Sequence, residues 1–143
     1  MNKIKILLII LFFSIEANAE NHVVSYGNKS KNTKITIKIY SSLTCPYCAE
    51  LHNKYLPNLV KKYVENNNVY IELHDYPLNQ SSLIAAQVQK CFTPEKQKLY
   101  LDEIYKTQSK WSDAETLKEL QSNLNKITQI LGLGDKDFKR CAT

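Results

Sequence analysis

Ile35-Thr36-Ile37-Lys38-Ile39-Tyr40-Ser41-Ser42-Leu43-Thr44-Cys45-Pro46-Tyr47-Cys48 is the stretch on which the fold turns. Isoleucine alternates with Thr36, Lys38 and Tyr40 in its first half, the period-two pattern of a strand, so a strand is expected over 35–40. Ser41 to Thr44 bridge to a segment in which Leu51, Tyr55, Leu56, Leu59, Val60 and Tyr63 recur at helical spacing as far as Asn66-Asn67-Asn68. The strand therefore hands over to a helix of about five turns, with both cysteines at the junction. Pro57 removes a hydrogen bond inside that helix and is expected to kink or divide it. Val69-Tyr70-Ile71-Glu72-Leu73-His74 reads as a second strand, ended by Tyr76-Pro77.

From Asn79 onward the pattern is helical. Ser81 or Ser82 is placed to cap a helix running through Cys91, and Thr93-Pro94 opens another that carries Leu99, Ile104 and Tyr105. Ser112 and Glu115 stand in capping-box spacing before the apolar stripe Leu117, Leu120, Leu124, Ile127 and Leu131, which Gly132 closes. A last short helix is expected from Asp135. Neither an internal repeat nor a low-complexity tract interrupts this order.

The strand-to-helix junction makes Cys45 reactive. Unpaired N–H groups and partial positive charge at a helix N-terminus lower a thiol pKa from its free value of about 8.5. The i, i+3 spacing brings Cys48 onto the same face of the first turn, and Pro46 sacrifices only a hydrogen bond that a first-turn residue would not make. Such a pair cycles between dithiol and disulfide: Cys45 is the expected nucleophile and Cys48 the thiol that resolves the mixed disulfide, with Pro46 and Tyr47 between them as candidate tuning residues. Tyr47 reads equally well as an aromatic packed at the domain edge.

Composition bounds the alternatives. The chain has 143 residues, 43% hydrophobic and 23% charged, which suits one globular domain. Lys3 and Lys5 lead into the apolar run Ile6 to Ile15 and then Glu16-Ala17-Asn18-Ala19, the pattern of a secretory signal peptide over 1–19 with cleavage after Ala19. The run is too short for a bilayer-spanning helix. Without that segment the formal charge falls from +5 to about +4, with both signs interleaved, so nucleic acid is not an expected partner.

Export implies a compartment where disulfides persist, and the four cysteines allow three connectivities. The simplest pairing beside the Cys45–Cys48 couple joins Cys91 to Cys141 as a structural disulfide; two unpaired buried thiols are the alternative. Zinc would need four ligands, and no second C-x-x-C or His pair stands at a suitable distance, so neither a metal nor another cofactor is expected. Cys45, Cys48 and His52 share a helix face and imitate a three-ligand site, but a histidine in that place more often packs. His74 and Asp75 close the second strand, where a solvated role outweighs proton transfer.

Ile39 to His52, with histidine four places after the second cysteine, resembles the active-site strand and helix of the DsbA-like periplasmic disulfide oxidoreductases of bacteria. His74-Asp75-Tyr76-Pro77-Leu78, Ala85-Ala86, Cys91 and the helix up to Gly132-Leu133 are similar in order and spacing, so the likeness runs from about 35 to 141. It implies an α/β fold of the thioredoxin-like class, with an incomplete domain over 20–143 that carries a helical insertion at about 79–143. It also implies a periplasmic enzyme that donates disulfides to exported proteins bearing thiols, with a membrane redox partner. Members of that family return after the insertion to two antiparallel strands and a final helix, preceded by a cis proline facing the cysteines; none of Pro46, Pro57, Pro77 or Pro94 holds that place. The strand at 35–40 is then expected to keep one edge unpaired, and a two-stranded remnant to leave apolar faces of the first helix and the insertion without their cover, as in a truncated or split protein. Rival readings are a glutaredoxin-like reductase, which the leader and insertion oppose, an exported disulfide reductase or isomerase, and a non-catalytic remnant or metal-holding module.

Overall fold

The computed structural model describes residues 23–66 and 68–142; the leader expected over 1–19 lies outside them. Strand β1 (Val24–Tyr26) is followed by β2 (Ile35–Ser41), then by a helical ribbon made of α1 (Pro46–Glu50), a π-helical turn (Leu51–Tyr55), α2 (Leu56–Leu59) and a second π-helical turn (Val60–Val64). β3 (Val69–Asp75) leads into five helices: α3 (Gln80–Gln89), α4 (Pro94–Lys106), α5 (Gln108–Ser112), α6 (Leu117–Ile130) and α7 (Asp135–Cys141).

The sheet has three strands in the order β1-β3-β2, one more than the alternating runs alone suggested. β2 and β3 are parallel, with Ile37 opposite Ile71 and Ile39 opposite Leu73, while β1 runs antiparallel to β3 with Val24 opposite Leu73. β1 is only three residues long, and its existence depends on that pairing. Gly27 makes the turn after β1 fit: its φ is +86°, and a Cβ there would lie 2.8 Å from Val64 Cγ1 and 3.1 Å from the Val69 carbonyl.

Pro57 lies within α2 and does not break the ribbon, which stays helical from Pro46 to Val64 by widening. On the N-terminal side of Pro57 the ladder shifts to π-type bonds, with the Leu56 N–H reaching the Leu51 carbonyl. The ribbon packs Leu56 and Val64 on Val69 and Ile71, with Ile37 and Ile39 at the margin. A larger core fills the insertion, where Trp111, Tyr100, Ile104, Leu120 and Leu124 are fully buried, and it reaches Leu43 and Ala49 beside the cysteines. Trp111 donates its indole N–H to the Ile104 carbonyl at 3.0 Å, so its burial leaves no donor unpaired.

The other sheet face is polar. It carries Thr36, Lys38, Tyr40, Tyr70, Glu72 and His74, polar or amphipathic residues tied by ion pairs of Glu72 with Lys38 and Lys29 and by stacking of Tyr40 on His74. This face therefore needs no apolar cover to remain in water. Among the described residues β2 pairs only with β3 and keeps its second edge open.

Two caps differ from their sequence assignment. Asn79, not Ser81 or Ser82, caps α3: its side chain accepts the Ser82 N–H at 2.8 Å while the Ser82 hydroxyl accepts from the Asn79 N–H at 3.2 Å. The helix also ends at Gln89, before Cys91. Thr116 caps α6, accepting the Glu119 N–H at 3.2 Å, because Ser112 is already held at the end of α5 behind the buried Trp111. Thr116→Ala is expected to cost about 1 kcal/mol in chemical denaturation, whereas Ser112→Ala should cost less than half as much.

Candidate functional site

Cys45 occupies the N-cap of α1, where a serine or aspartate would ordinarily place an oxygen. Its backbone is extended (φ −82°, ψ 119°) and Pro46 begins the helix, so the sulfur stands at the helix start without a capping hydrogen bond. Burial pushes the Cys45 thiol up, but the Cys48 N–H, the Cys48 thiol and the Tyr47 N–H outweigh it, so the thiol lies below its ordinary range. Cys48 moves the other way. Burial and the hydrogen bond it gives Cys45 raise its thiol, against the lowering effect of the Ser42 N–H and the Ser41 hydroxyl. Both cysteines are free thiols and both are partly exposed. The structure thus places two unlike sulfurs side by side, one ready to ionise and one inclined to keep its proton.

The loop that presents Cys45 is fastened from several sides. Its own turn is closed by the Cys45 N–H on the Ser42 carbonyl at 3.1 Å. Asn79 donates its amide N–H to the Thr44 hydroxyl at 3.0 Å, and Thr44 lies 3.2 Å from the Ser42 hydroxyl. From α5, Gln108 Nε2 donates to the Leu43 carbonyl at 2.8 Å and to the Cys45 carbonyl at 3.1 Å. None of these insertion partners was signalled by local spacing, since they reach the loop from 35 to 65 residues away.

Behind Cys48 lies a cavity of about 20 Å³, room for roughly one water molecule, lined in part by Ser41, Cys48, His52, Leu73, Asp75 and Tyr105. Burial, followed by the neighbouring Cys48 charge, holds the Tyr105 hydroxyl far above the ordinary phenol range, so it remains protonated there. His52 packs: it is 7% exposed, its Nε2 is 2.7 Å from Asp102 Oδ1, and its ring lies 4.7 Å from that of Tyr105. Among the described residues no group of three His, Cys, Asp or Glu side chains is placed to hold a metal ion. His74 hydrogen-bonds Glu72 at 3.0 Å and Asp75 forms an ion pair with Lys90 at 2.9 Å, so both strand-end residues are engaged. Tyr47 is 80% exposed and does not pack at the domain edge. Cys91 and Cys141 are bonded to each other, with Cα atoms 6.3 Å apart.

A parallel β2-β3 pair, a cysteine couple at the start of the helix that follows β2, and a run of helices after β3 define a thioredoxin-like fold with a helical insertion. A family model described as "Thioredoxin" matches residues 18–143, and the chain belongs to that family. It is 29% identical over 130 residues to a Rickettsia bellii protein named "Putative protein-disulfide oxidoreductase", an alignment covering 90% of this chain and 48% of that one. Among solved structures it resembles Wolbachia pipientis alpha-DsbA1, with a TM-score of 0.71, 21% identity and coverage of 86% of this chain and 60% of that one. It also resembles the protein-disulfide isomerase of Novosphingobium aromaticivorans, with a TM-score of 0.74, 16% identity and coverage of 85% and 71%. The chain spans about half the length of the curated relatives it matches.

Proposed function

We propose that this protein is a thiol:disulfide oxidoreductase of the DsbA type, which forms disulfides in exported proteins through Cys45-Pro46-Tyr47-Cys48. The observation that carries this reading is the placement of two free, partly exposed cysteines at the start of the helix after β2 in a thioredoxin-like fold, one at the N-cap and the other one turn on. In the oxidised enzyme a substrate thiolate attacks Cys45 Sγ, breaking the Cys45–Cys48 bond and leaving Cys48 as the thiolate, which then takes up a proton. The second substrate thiol loses its proton and attacks the substrate sulfur of the mixed disulfide, expelling the Cys45 thiolate. Two electrons pass from substrate to enzyme, and the substrate leaves with its disulfide. A sulfur that ionises readily is a good leaving group, so the bias of Cys45 favours this direction.

The leader pattern over 1–19 supports a periplasmic setting, where substrates arrive reduced and a membrane redox partner takes the electrons. The test is to equilibrate the purified protein in glutathione buffers of graded ratio and trap its free thiols by mass-tagging. A Cys45–Cys48 couple that exchanges reversibly and remains dithiol in mildly oxidising buffer is the expected result. A couple that never exchanges, or that is already fully disulfide in mildly oxidising buffer, defeats the proposal.

A further inference from the structure

We propose that Gln108 is a positioning residue for Cys45, so that the helical insertion sets the redox balance of the pair through one side-chain amide. The inference rests on the exchange reading above. Gln108 Nε2 donates to two carbonyls that bracket Thr44, those of Leu43 and Cys45. The Cys45 carbonyl already accepts the Ala49 N–H at 3.1 Å, so Gln108 supplies it with a second donor. Leu43 is anchored in the insertion core at 2% exposure, and the amide ties that anchored residue to the reactive one.

The electrostatic consequence has a definite sign. Carbonyl oxygens carry negative partial charge, and two of them belong to the short loop that presents a sulfur about to become negative. An amide N–H₂ directed at both offsets that charge and fixes the loop so that the Tyr47 and Cys48 N–H groups face Cys45. Removing the donor makes the thiolate less favourable and so weakens the dithiol relative to the disulfide. The ionisable groups around the pair are Cys48 on α1, His52 on the π-helical turn after it, His74 and Asp75 on β3, Asp75 being paired with Lys90, and Tyr105 on α4. None is altered by a change at Gln108, which isolates the amide's contribution.

Gln108→Leu keeps the approximate bulk and removes the donor; Gln108→Glu keeps the length and turns carboxylate oxygens toward two carbonyls. The equilibrium with glutathione is expected to move toward the disulfide by about three- to tenfold in Gln108→Leu, the upper end corresponding to roughly 30 mV. Gln108→Glu should move it further in the same direction. Melting temperatures of the separate redox forms supply the second readout, because the dithiol must lose more stability than the disulfide for the equilibrium to move. Equal destabilisation of both forms with an unchanged equilibrium constant would overturn the proposal in favour of a purely structural clamp. If Gln108→Leu does not fold, an equilibrium in Gln108→Glu that matches the parent would overturn it equally. Failure of the parent protein to exchange would instead defeat the functional reading, leaving the two tests distinct.

Discussion

Replacing Cys45 by serine is expected to reduce turnover in a coupled thiol-oxidation assay to the uncatalysed rate, whereas Cys48→Ala should instead accumulate a mixed disulfide on Cys45. The asymmetry follows from the geometry. Cys45 is the sulfur at the N-cap, with the Tyr47 and Cys48 N–H groups directed at it, while Cys48 is held in its protonated form behind it. On the proposed exchange the first is the entry point and the second resolves the intermediate. At pH 7 iodoacetamide should modify Cys45 at least about tenfold faster than Cys48 in the reduced protein, as read by peptide mass mapping. Turnover above about a tenth of the parent rate in Cys45→Ser, or equal labelling of the two sulfurs, would contradict this assignment.

The same opposition fixes how dithiol stability depends on pH. Cys45 ionises in the folded dithiol below its unfolded value, so its contribution is fully present above the unfolded thiol pKa of about 8.5 and is lost as pH falls through the folded value. Cys48 is raised, so its contribution is fully present below the unfolded pKa and is lost as pH rises through its folded value. The melting-temperature difference between dithiol and disulfide forms should therefore turn over near pH 8.5, moving toward the disulfide on either side. A difference that is flat between pH 5 and 10 would show that neither thiol is perturbed.

Why the redox pair was legible while its supports were not is a matter of sequence distance. Cys45 and Cys48 announce themselves because a strand, a turn and a helix start are all local patterns, and β2 and β3 alternate because one sheet face meets Leu56 and Val64. β1 carries too few residues to show a period and exists through its register with β3. In the sequence Ser112 and Glu115 read as the cap of α6, a spacing that Thr116 and Glu119 share; burial of Trp111 extends α5 through Ser112 and leaves Thr116 to cap. Gln108 has no signature at all, because an amide in a polar stretch looks solvated until the chain folds it against Leu43 and Cys45. The polar outer face of the sheet was readable from Thr36, Lys38 and Tyr40, yet its ion pairs required the β2-β3 register.

Removing the Cys91–Cys141 bond by the double change Cys91→Ala/Cys141→Ala is expected to lower stability by about 4 kcal/mol, the chain-entropy value for closing a loop with a sequence separation of 50 residues. The structure explains why so little else would replace it. α7 has seven residues, and it is held by Phe138 in the core, by Gln121 donating to the Ala142 carbonyl at 3.2 Å and by polar contacts of Asn125 and Gln129 with Asp135. Asn125 and Gln129 both lie on α6 and meet α7 at its first residue, whereas the disulfide ties its last residue to the segment after α3. Without that tie the C-terminal end of α7 keeps buried Phe138 and Ala142 and the Gln121 bond to the Ala142 carbonyl. For a domain of this size the loss should appear as a fall of roughly 10–20 °C in melting temperature, measured on the dithiol form so that Cys45 and Cys48 do not contribute a second bond. Early hydrogen exchange should concentrate in α7. A fall of less than about 3 °C would mean that packing of Phe138 alone holds the helix, and that the bond serves something other than stability.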